Sequence, residues 1–216
     1  MKSNSQKGIA EPASEIIERL QKEHIEAGPR LVFSGPYQAL VAIILSAQTN
    51  DHQVNRVTSR FYVRFPDPAA LAEANPEEVE TYIKSVGLYH AKAANLVAAA
   101  RKITEEFAGT VPDKFEDLLR LPGVGRKTAN VMLATAFGKP GLGVDTHVLR
   151  VSNRLGLAHS KNPDAVENQL KAVFPPANWG RVHHLLIFHG RKVCTARKPQ
   201  CSQCIVADLC PSSFKV

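Results

Sequence analysis

Leu121-Pro122-Gly123-Val124-Gly125-Arg126-Lys127-Thr128-Ala129 joins two predicted helices in the second half of this 216-residue chain. Two glycines that flank one apolar residue permit left-handed backbone conformations and leave the neighbouring N–H groups uncovered by side chains. Because the next helix is predicted to begin at Arg126, its N-terminal amides and its dipole face the same turn. We therefore predict that this turn binds one DNA phosphate without reading a base sequence.

Other glycine motifs fit this stretch less well. A Walker A loop has glycine directly before its lysine, where this chain has Arg126, and a dinucleotide-binding fingerprint needs a third glycine where Thr128 stands. An ordinary helix–helix turn explains one glycine but not the pair. The pattern L-P-G-V-G-x-x-T-A is the signature of a helix–hairpin–helix motif, which places Gly123, Val124, Gly125 and Arg126 at DNA.

The rest of the chain has the pattern of an all-α protein. Ser14 is a candidate cap for a first helix, and the apolar run Ala39–Leu45 predicts a buried central helix. Apolar residues at helical spacing predict a further helix from about Asn50, and no stretch alternates as a strand does. The glycine-rich segment 138–144 indicates a boundary between two lobes.

All four cysteines lie near the C-terminus, at Cys194, Cys201, Cys204 and Cys210, with the spacing C-x6-C-x2-C-x5-C. Thiolates are soft ligands that suit an iron–sulfur cluster or a structural zinc ion. Zinc ribbons usually have two close cysteine pairs, and only one C-x-x-C is present, so the spacing favours a [4Fe–4S] cluster. Two disulfides are the alternative, which the absence of an export signal disfavours.

Basic residues are concentrated in two stretches without Asp or Glu, Leu118–Val144 and Asn168–Ala207, in a chain with a formal net charge of +7. A surface made only for solubility mixes both signs of charge, whereas these stretches suggest a polyanionic partner. The longest apolar run is too short to span a bilayer, and the first residues lack the apolar core of a signal peptide. We therefore expect a cytoplasmic protein that does not bind membranes.

Two residues could perform chemistry. Lys127 stands at a helix start beside Arg126, which disfavours an ammonium group, and a neutral amine is what a Schiff base requires. Asp145 could stabilise a cationic sugar or accept a proton. Each has a plain alternative, since Lys127 could contact a phosphate and Asp145 could cap a helix. Upstream, Leu88 falls at a second glycine turn and is either an exposed wedge for a base stack or a buried contact between helices.

Together these motifs resemble the endonuclease III family of base-excision-repair DNA glycosylases. The likeness includes L-S-A-Q-T-N-D at residues 45–51, the hairpin at 121–129, V-D-T-H at 144–147 and the cysteine segment, in family order. The resemblance implies a six-helix barrel over residues 29–139 and an iron–sulfur domain formed by 9–28 with 140–216. Residues 1–8 are expected to form a disordered tail. DNA is expected in a groove between the lobes, with a damaged pyrimidine flipped out of the duplex.

The resemblance also implies roles for single residues. Lys127 matches the lysine that attacks C1′ of the sugar and expels the base, and Asp145 matches its partner aspartate. The Schiff base then undergoes β-elimination, which nicks the strand. Gln48 and Leu88 match the residues that fill the gap and wedge the opposite strand.

The remaining residues implied by the resemblance bind the cofactor and the DNA backbone. The four cysteines match the ligands of a [4Fe–4S] cluster. Arg191 and Lys198 delimit a basic loop that contacts phosphate, and His147 belongs to the matching V-D-T-H segment. The expected protein is a monomeric, bifunctional DNA glycosylase and AP lyase that acts on duplex DNA with an oxidised pyrimidine or an abasic site.

Three alternatives stay open from the sequence. A monofunctional adenine or mismatch glycosylase of the same superfamily typically replaces the lysine at position 127 and continues well beyond the last cysteine, whereas this sequence has Lys127 and ends six residues after Cys210. A non-catalytic iron–sulfur module would bind DNA without cutting it. A helical adaptor stabilised by zinc would be colourless when purified.

Overall fold

The computed structural model describes residues 4–215, with side chains from residue 12 onward. Within these residues the protein has eleven α-helices and no strand, so the all-α prediction is confirmed. The helices are α1 (Asn4–Glu23), α2 (Pro36–Ser46), α3 (Asp51–Arg64), α4 (Pro68–Ala72), α5 (Pro76–Ile83), α6 (Tyr89–Glu106), α7 (Phe115–Leu119), α8 (Arg126–Ala136), α9 (Thr146–Arg154), α10 (Pro163–Val173) and α11 (Trp179–Lys192), with 3₁₀ turns at Pro176–Asn178 and Cys201–Gln203. Over the described range, no helix is both long and apolar enough to cross a lipid bilayer.

The chain divides into two compact units. The first, here called the hairpin unit, is Arg30–Lys139. The second, here called the cysteine unit, combines the chain up to Pro29 with the chain from Pro140 onward. The chain therefore passes from one unit to the other inside the segment that the glycine content marks as a boundary.

The hairpin unit is built around α2. Every residue of Ala39–Leu45 is buried, as its uninterrupted apolar sequence predicts. The helices α3, α6 and α8 pack against it, and α6 also packs against α4 and α5. Phe61 on α3 and Phe65, the C-cap of the same helix, are fully buried with ring centroids 4.9 Å apart. This core fixes the start of α8, where the hairpin lies.

The cysteine unit has its own core, to which the N-terminal helix contributes. Ile16, Ile17 and Leu20 of α1 are buried in one apolar cluster with residues of α9, α10 and α11. Arg19 on the same helix donates from Nη1 to both carboxylate oxygens of Asp208 at 2.9 Å and to the carbonyl oxygen of Ile205 at 3.3 Å. The first helix therefore stabilises the segment that contains the cysteines.

Two expectations for the N-terminus need correction. Of the predicted disordered tail, residues 1–3 lie outside the described part of the chain, and residues 4–8 belong to α1. Ser14 is not the N-cap, since it lies inside this helix and its hydroxyl donates to Glu18 at 3.4 Å. Once the buried face of α1 has formed a helical turn, each added residue extends the helix at a small cost in free energy. The start of α1 was therefore not decided by a local capping residue.

We predict that Leu20→Ala destabilises the cysteine unit. Leu20 is 0% exposed, so its truncation leaves a cavity and lowers the free energy of unfolding by about 2–5 kcal/mol. Leu119→Ala is the matched control, because Leu119 is 37% exposed. Thermal unfolding of the two variants measures the difference, and equal midpoints would contradict the assignment of α1 to this core.

Candidate nucleic-acid interface and metal centre

The hairpin between α7 and α8 is a tight turn held by its own backbone. The N–H of Val124 donates to the carbonyl oxygen of Leu121 at 3.1 Å. Gly123 has φ +80, a left-handed conformation that disfavours every other residue, and an added Cβ would lie 3.0 Å from Cβ of Asn95. Gly123 is therefore required both by the turn and by the close approach of α6.

Gly125 has a different role from the one its sequence pattern suggests. Its φ of −97 and ψ of 179 are extended values that any residue adopts, so only the first glycine of the pair needs a left-handed backbone. Nothing lies within 4 Å of the position that its Cβ would take. Gly125 is the N-cap of α8 and supplies no side-chain cap to the first-turn amides. It leaves those amides open to an anion.

The neighbours of these glycines face the protein. The side chain of Val124 is 7% exposed and its N–H belongs to the turn, so among the predicted contacts it is the least available to DNA. The guanidinium group of Arg126 lies over the ring of Phe115, 5.2 Å from the centroid. The hairpin therefore presents backbone amides, and the charge of Arg126 lies beside them.

Lys127 is the second residue of α8 and is half-buried. Among the described residues, the amine of Lys127 has no hydrogen-bond or ion-pair partner. Where another lysine does form such a contact, its partner is in most cases a carboxylate, as for Lys139 with Asp113 and Lys171 with Glu167. Lys127 therefore combines a fixed backbone with an amine that is free to react.

Asp145 caps α9, as predicted by the alternative in which it is a helix cap. Its Oδ1 accepts from the backbone N–H groups of His147 at 2.9 Å and Val148 at 2.8 Å. Oδ2 has no hydrogen-bond partner within the described chain. The cap thus fixes the carboxylate in one orientation and leaves its second oxygen available for another group.

His147 lies in the first turn of α9 close to the C-terminal end of α11. Its Nδ1 is 3.2 Å from Nη2 of Arg150, which can only donate, so Nδ1 accepts and the ring proton of neutral His147 is on Nε2. Burial lowers the pKa of His147, an effect that Asp145 opposes and that Arg150 and Arg191 increase. The cysteine unit therefore brings His147 and Arg191 together, and gives His147 the form of a neutral donor.

Gln48 and Leu88 are both in strained conformations. Gln48 follows α2 with φ 56, and Leu88 precedes α6 with φ 58. Non-glycine residues rarely adopt these values, and such strain concentrates at functional positions. Leu88 is 60% exposed, which excludes the alternative of a buried contact between helices.

The four cysteines are free thiols whose residues line a single cavity in the cysteine unit. In the described part of the chain, no three His, Cys, Asp or Glu side chains are placed to hold one metal ion. Tetrahedral zinc with Zn–S bonds of about 2.3 Å needs its sulfurs only about 3.8 Å apart. Four cysteines around one cavity fit a cluster in which each cysteine binds a different iron.

Two arginines of α9 position the segment that contains the first cysteine. Arg150 donates from Nη2 to the carbonyl oxygens of Gly190 at 2.9 Å and Cys194 at 3.0 Å. Arg154 donates to the carbonyl oxygens of Thr195 at 2.7 Å and Ala196 at 2.9 Å, and its Nη1 is 3.4 Å from Sγ of Cys194. These contacts satisfy consecutive carbonyl groups that no secondary structure would pair.

The same segment presents basic side chains to solvent. The hydroxyl of Thr195 donates to the carbonyl oxygen of Lys198 at 2.7 Å, which closes a turn between the first and second cysteines. Arg197 and Lys198 are exposed on this turn, and Arg191 is exposed at the end of α11. Their positions suit contact with a phosphate backbone.

A buried histidine pair reaches one of the cysteines. Nε2 of His189 is 3.4 Å from Sγ of Cys204, and Nδ1 of His189 is 3.0 Å from Nε2 of His24. Burial lowers the pKa of His189 to about 4, with a further contribution from His24, so the ring is neutral at neutral pH. A cluster-bound sulfur only accepts, which places the proton of His189 on Nε2 and makes His24 the donor to Nδ1.

Three residues near the cysteines were not predicted from the sequence, namely Arg150, Arg154 and His189. Arg150 and Arg154 are four residues apart on one helix, a spacing that puts them on one face. That signal was present, but only the packing of α9 against α11 shows what this face contacts. His189 lies in an apolar helical pattern that is equally typical of a core histidine.

Two protein families match this chain. Residues 41–176 match the HhH-GPD superfamily of base excision DNA repair proteins, and residues 194–210 match the iron–sulfur binding domain of endonuclease III. The chain is also 46% identical over 202 residues to endonuclease III of Escherichia coli strain K12, an alignment that covers 94% of this chain and 96% of the relative.

This chain belongs to the endonuclease III family of base excision DNA repair proteins. The predicted family and the predicted [4Fe–4S] cofactor are thereby confirmed, and the zinc and disulfide alternatives are wrong.

Solved structures of related proteins agree with this fold. A trapped covalent intermediate of an endonuclease III with DNA superposes with a TM-score of 0.91 at 38% identity, covering 95% of this chain and 97% of that one. A thermostable thymine-DNA glycosylase superposes with a TM-score of 0.80 at 26% identity, covering 98% of this chain and 97% of that one.

We predict that Gly125→Ala weakens DNA binding while leaving the fold intact. Alanine fits the extended backbone of Gly125 and costs about 0.5–1 kcal/mol as a poorer N-cap than glycine, while its methyl group covers the amides. Loss of one hydrogen bond to a charged phosphate weakens binding by about tenfold. Fluorescence anisotropy with a duplex that contains an abasic-site analogue, at one fixed salt concentration, measures this change.

Gly123→Ala is the comparison, because it requires alanine at φ +80 beside Asn95. We expect Gly123→Ala to lower the thermal midpoint clearly and Gly125→Ala to change it little. If both variants lost the same stability, the distinct role of Gly125 would be wrong.

Proposed function

We propose that this chain is a bifunctional DNA glycosylase and AP lyase of base excision repair. It removes an oxidised pyrimidine from duplex DNA and then cuts the strand at the resulting abasic site. The observation that supports this most strongly is the unpartnered amine of Lys127, held in the first turn of α8 directly after the hairpin. Its relative in the trapped complex is an endonuclease III linked covalently to DNA.

Lys127 acts as the nucleophile. The neutral amine attacks C1′ of the damaged nucleotide, a C1′–N bond forms, and the glycosidic bond breaks with its electron pair going to the base, which takes up a proton. The sugar ring opens to a Schiff base. Loss of a proton from C2′ then expels the 3′-phosphate by β-elimination, and water releases the product from the lysine.

Asp145 assists from its fixed position at the start of α9. Oδ1 is occupied by two backbone N–H groups, so Oδ2 is the oxygen that faces the reaction. A carboxylate there stabilises the positive charge that develops on the sugar as the base departs. Its second proposed role is that of the general base.

The remaining site residues bind DNA without taking part in bond breaking. The open amides of Gly125 and the first turn of α8 hold one phosphate, with Gly123 shaping the turn. His147, Arg191 and Lys198 provide donors and positive charge on the cysteine unit. Gln48 and Leu88 enter the duplex where the damaged nucleotide has left the stack.

The [4Fe–4S] cluster has a structural role in this proposal. Cys194, Cys201, Cys204 and Cys210 hold it, and with four cysteine ligands no iron has an open coordination position. When bound, it supplies cross-links within a segment of 17 residues that has almost no regular secondary structure. It thereby fixes the loop on which Arg197 and Lys198 are exposed.

We also propose that the hairpin unit is the six-helix barrel of this family and that the cysteine unit is its iron–sulfur domain. The division of the chain at residues 29–30 and 139–140 supports this assignment. The enzyme is proposed to act in the cytoplasm as a monomer, on duplex DNA with a damaged pyrimidine or an abasic site.

A monofunctional glycosylase is the second candidate, because the chain also superposes on a thymine-DNA glycosylase. Lys127 distinguishes the two. A monofunctional enzyme uses water as the nucleophile and forms no bond to DNA, whereas a lysine in this place forms an adduct that can be trapped.

We predict that borohydride traps the wild-type protein on duplex DNA with thymine glycol and that Lys127→Ala abolishes the adduct. Borohydride reduces the Schiff base to a stable amine, which gel electrophoresis detects. Lys114→Ala is the matched control, because Lys114 also stands at a helix start and is exposed. Release of the base by the wild type without an adduct would indicate the monofunctional candidate.

We predict that Asp145→Asn lowers the rate of base release by about 10²- to 10⁴-fold without unfolding the protein. The asparagine oxygen still accepts from the two N–H groups, so the cap of α9 remains. Asp67→Asn makes the same change at another N-cap, where Asp67 accepts from the N–H of Ala70 at 2.9 Å. Single-turnover kinetics with both variants separate chemistry from capping, and equal rates would remove Asp145 from the mechanism.

A further inference from the structure

Two strained loops lie side by side in the hairpin unit. Gln48 and Leu88 belong to loops that are 40 residues apart in sequence, and both have φ near +57. At Gly87 the two loops are so close that an added Cβ would lie 3.3 Å from the carbonyl oxygen of Gln48. Because strained conformations persist only when the surrounding contacts determine them, some interaction must hold this pair.

Lys92 provides the first part of that interaction. It lies on α6 one turn after Leu88, is only 5% exposed, and directs its amine under the loop that contains Gln48. Its Nζ donates to the carbonyl oxygens of Leu45 at 2.8 Å and Ala47 at 2.5 Å, and to Oγ1 of Thr49 at 3.4 Å. Three acceptors match the three N–H donors of an ammonium group.

Thr49 provides the second part. Its hydroxyl oxygen accepts from Lys92 and, at 3.3 Å, from the backbone N–H of Gly87, while the hydroxyl donates to the carbonyl oxygen of Ala47 at 3.5 Å. One side chain therefore contacts both loops and the lysine between them. Gln53 of α3 donates to the hydroxyl of Ser85 and adds a parallel link nearby.

We propose that Lys92 and Thr49 are positioning residues that hold Gln48 and Leu88 at one fixed spacing, so that both side chains enter the duplex as a unit. The inference rests on the proposed function, because that function places Gln48 and Leu88 in DNA. It goes further by assigning their cooperation to buried Lys92 and half-buried Thr49, which hold the two loops together.

Helix capping alone does not explain this arrangement. Water can satisfy the last carbonyl groups of α2 at a protein surface, whereas burial of an ammonium group without a carboxylate partner is unfavourable. Within the described chain, Lys92 pairs only with the two carbonyl groups and Thr49, and burial lowers its pKa. The burial of the Lys92 ammonium group is explained if the loop that contains Gln48 must keep its strained conformation.

The test measures how Gln48 and Leu88 cooperate. The probe is a duplex with a tetrahydrofuran abasic analogue opposite 2-aminopurine, whose fluorescence rises when the base leaves the stack. Gln48→Ala, Leu88→Ala and the double variant are compared in the wild-type background and again with Thr49→Val. Binding is measured in parallel by anisotropy.

In the wild-type background we expect the losses of binding free energy caused by Gln48→Ala and by Leu88→Ala to be strongly non-additive. With Thr49→Val we expect the two losses to become additive, the fluorescence rise to diminish, and lesion binding to weaken by about 3- to 10-fold from lost hydrogen bonds. Lys92→Met should have the same effects. Thr135→Val is the matched control, since among the described residues the only hydrogen bond of the Thr135 hydroxyl is to the carbonyl oxygen of Val131 in its own helix.

The outcomes are distinguishable. The inference would be overturned if a stable Thr49→Val protein kept the same non-additivity and the same fluorescence rise. It would also be overturned if Thr135→Val reduced the non-additivity and the fluorescence rise as much as Thr49→Val does. If Lys92→Met does not fold, Thr49→Val alone decides, because it removes one hydroxyl from a half-buried position. Failure of the wild type to form a borohydride adduct would count against the proposed function only, since the analogue cannot be cut and the fluorescence test needs no chemistry.

Discussion

The uncapped start of α8 is the constraint on which the hairpin unit depends. The N-caps of α3, α4, α5, α9 and α10 each supply a side-chain oxygen to the first-turn amides, whereas those of α2, α6, α7, α8 and α11 supply none. At α8 the N-cap is Gly125, where no atom lies within 4 Å of the position that a Cβ would take. Unsatisfied amides at a helix start attract an anion, and the dipole of the helix adds to the attraction. The same first turn contains Lys127, so in the proposed mechanism the helix start that holds a phosphate also positions the nucleophile. The buried helix α2, against which α8 packs, keeps this start rigid.

In the cysteine unit, α9 has an equivalent role. Its nine residues span about 13 Å, with Asp145 and His147 at one end and Arg154 at the other. The first end fixes a carboxylate by capping, and the last two turns fix the carbonyl groups around Cys194. A single rigid element therefore fixes both the carboxylate of Asp145 and the segment that contains the first cysteine. This explains why a cluster without an open coordination position still belongs to a working DNA repair enzyme.

Some expectations from the sequence were wrong in instructive ways. The pair Gly123 and Gly125 suggested two left-handed residues, yet only Gly123 has a positive φ, because the second glycine serves to leave space. Ser14 has the chemistry of an N-cap and lies inside α1, because the apolar face of that helix extends it past local signals. No pattern in the sequence predicts the burial of Lys92, which depends on a loop 43 residues away. Packing beyond the local turn decides the places of Ser14 and Lys92, whereas at Gly125 no atom lies within 4 Å of the position that a Cβ would take.

The amino-acid sequence by itself determined the helical class, the buried helix α2, the cysteine ligands, the hairpin and the family of this protein. These features depend on local periodicity, spacing and residue chemistry, which a linear chain displays completely. Only the tertiary structure decided which oxygen of Asp145 is free, which arginines support the cysteines, and that Lys92 and Thr49 link the loops of Gln48 and Leu88. These depend on contacts between residues far apart in sequence, and hydrogen bonds act over about 3 Å, so no pattern along the chain can reveal them.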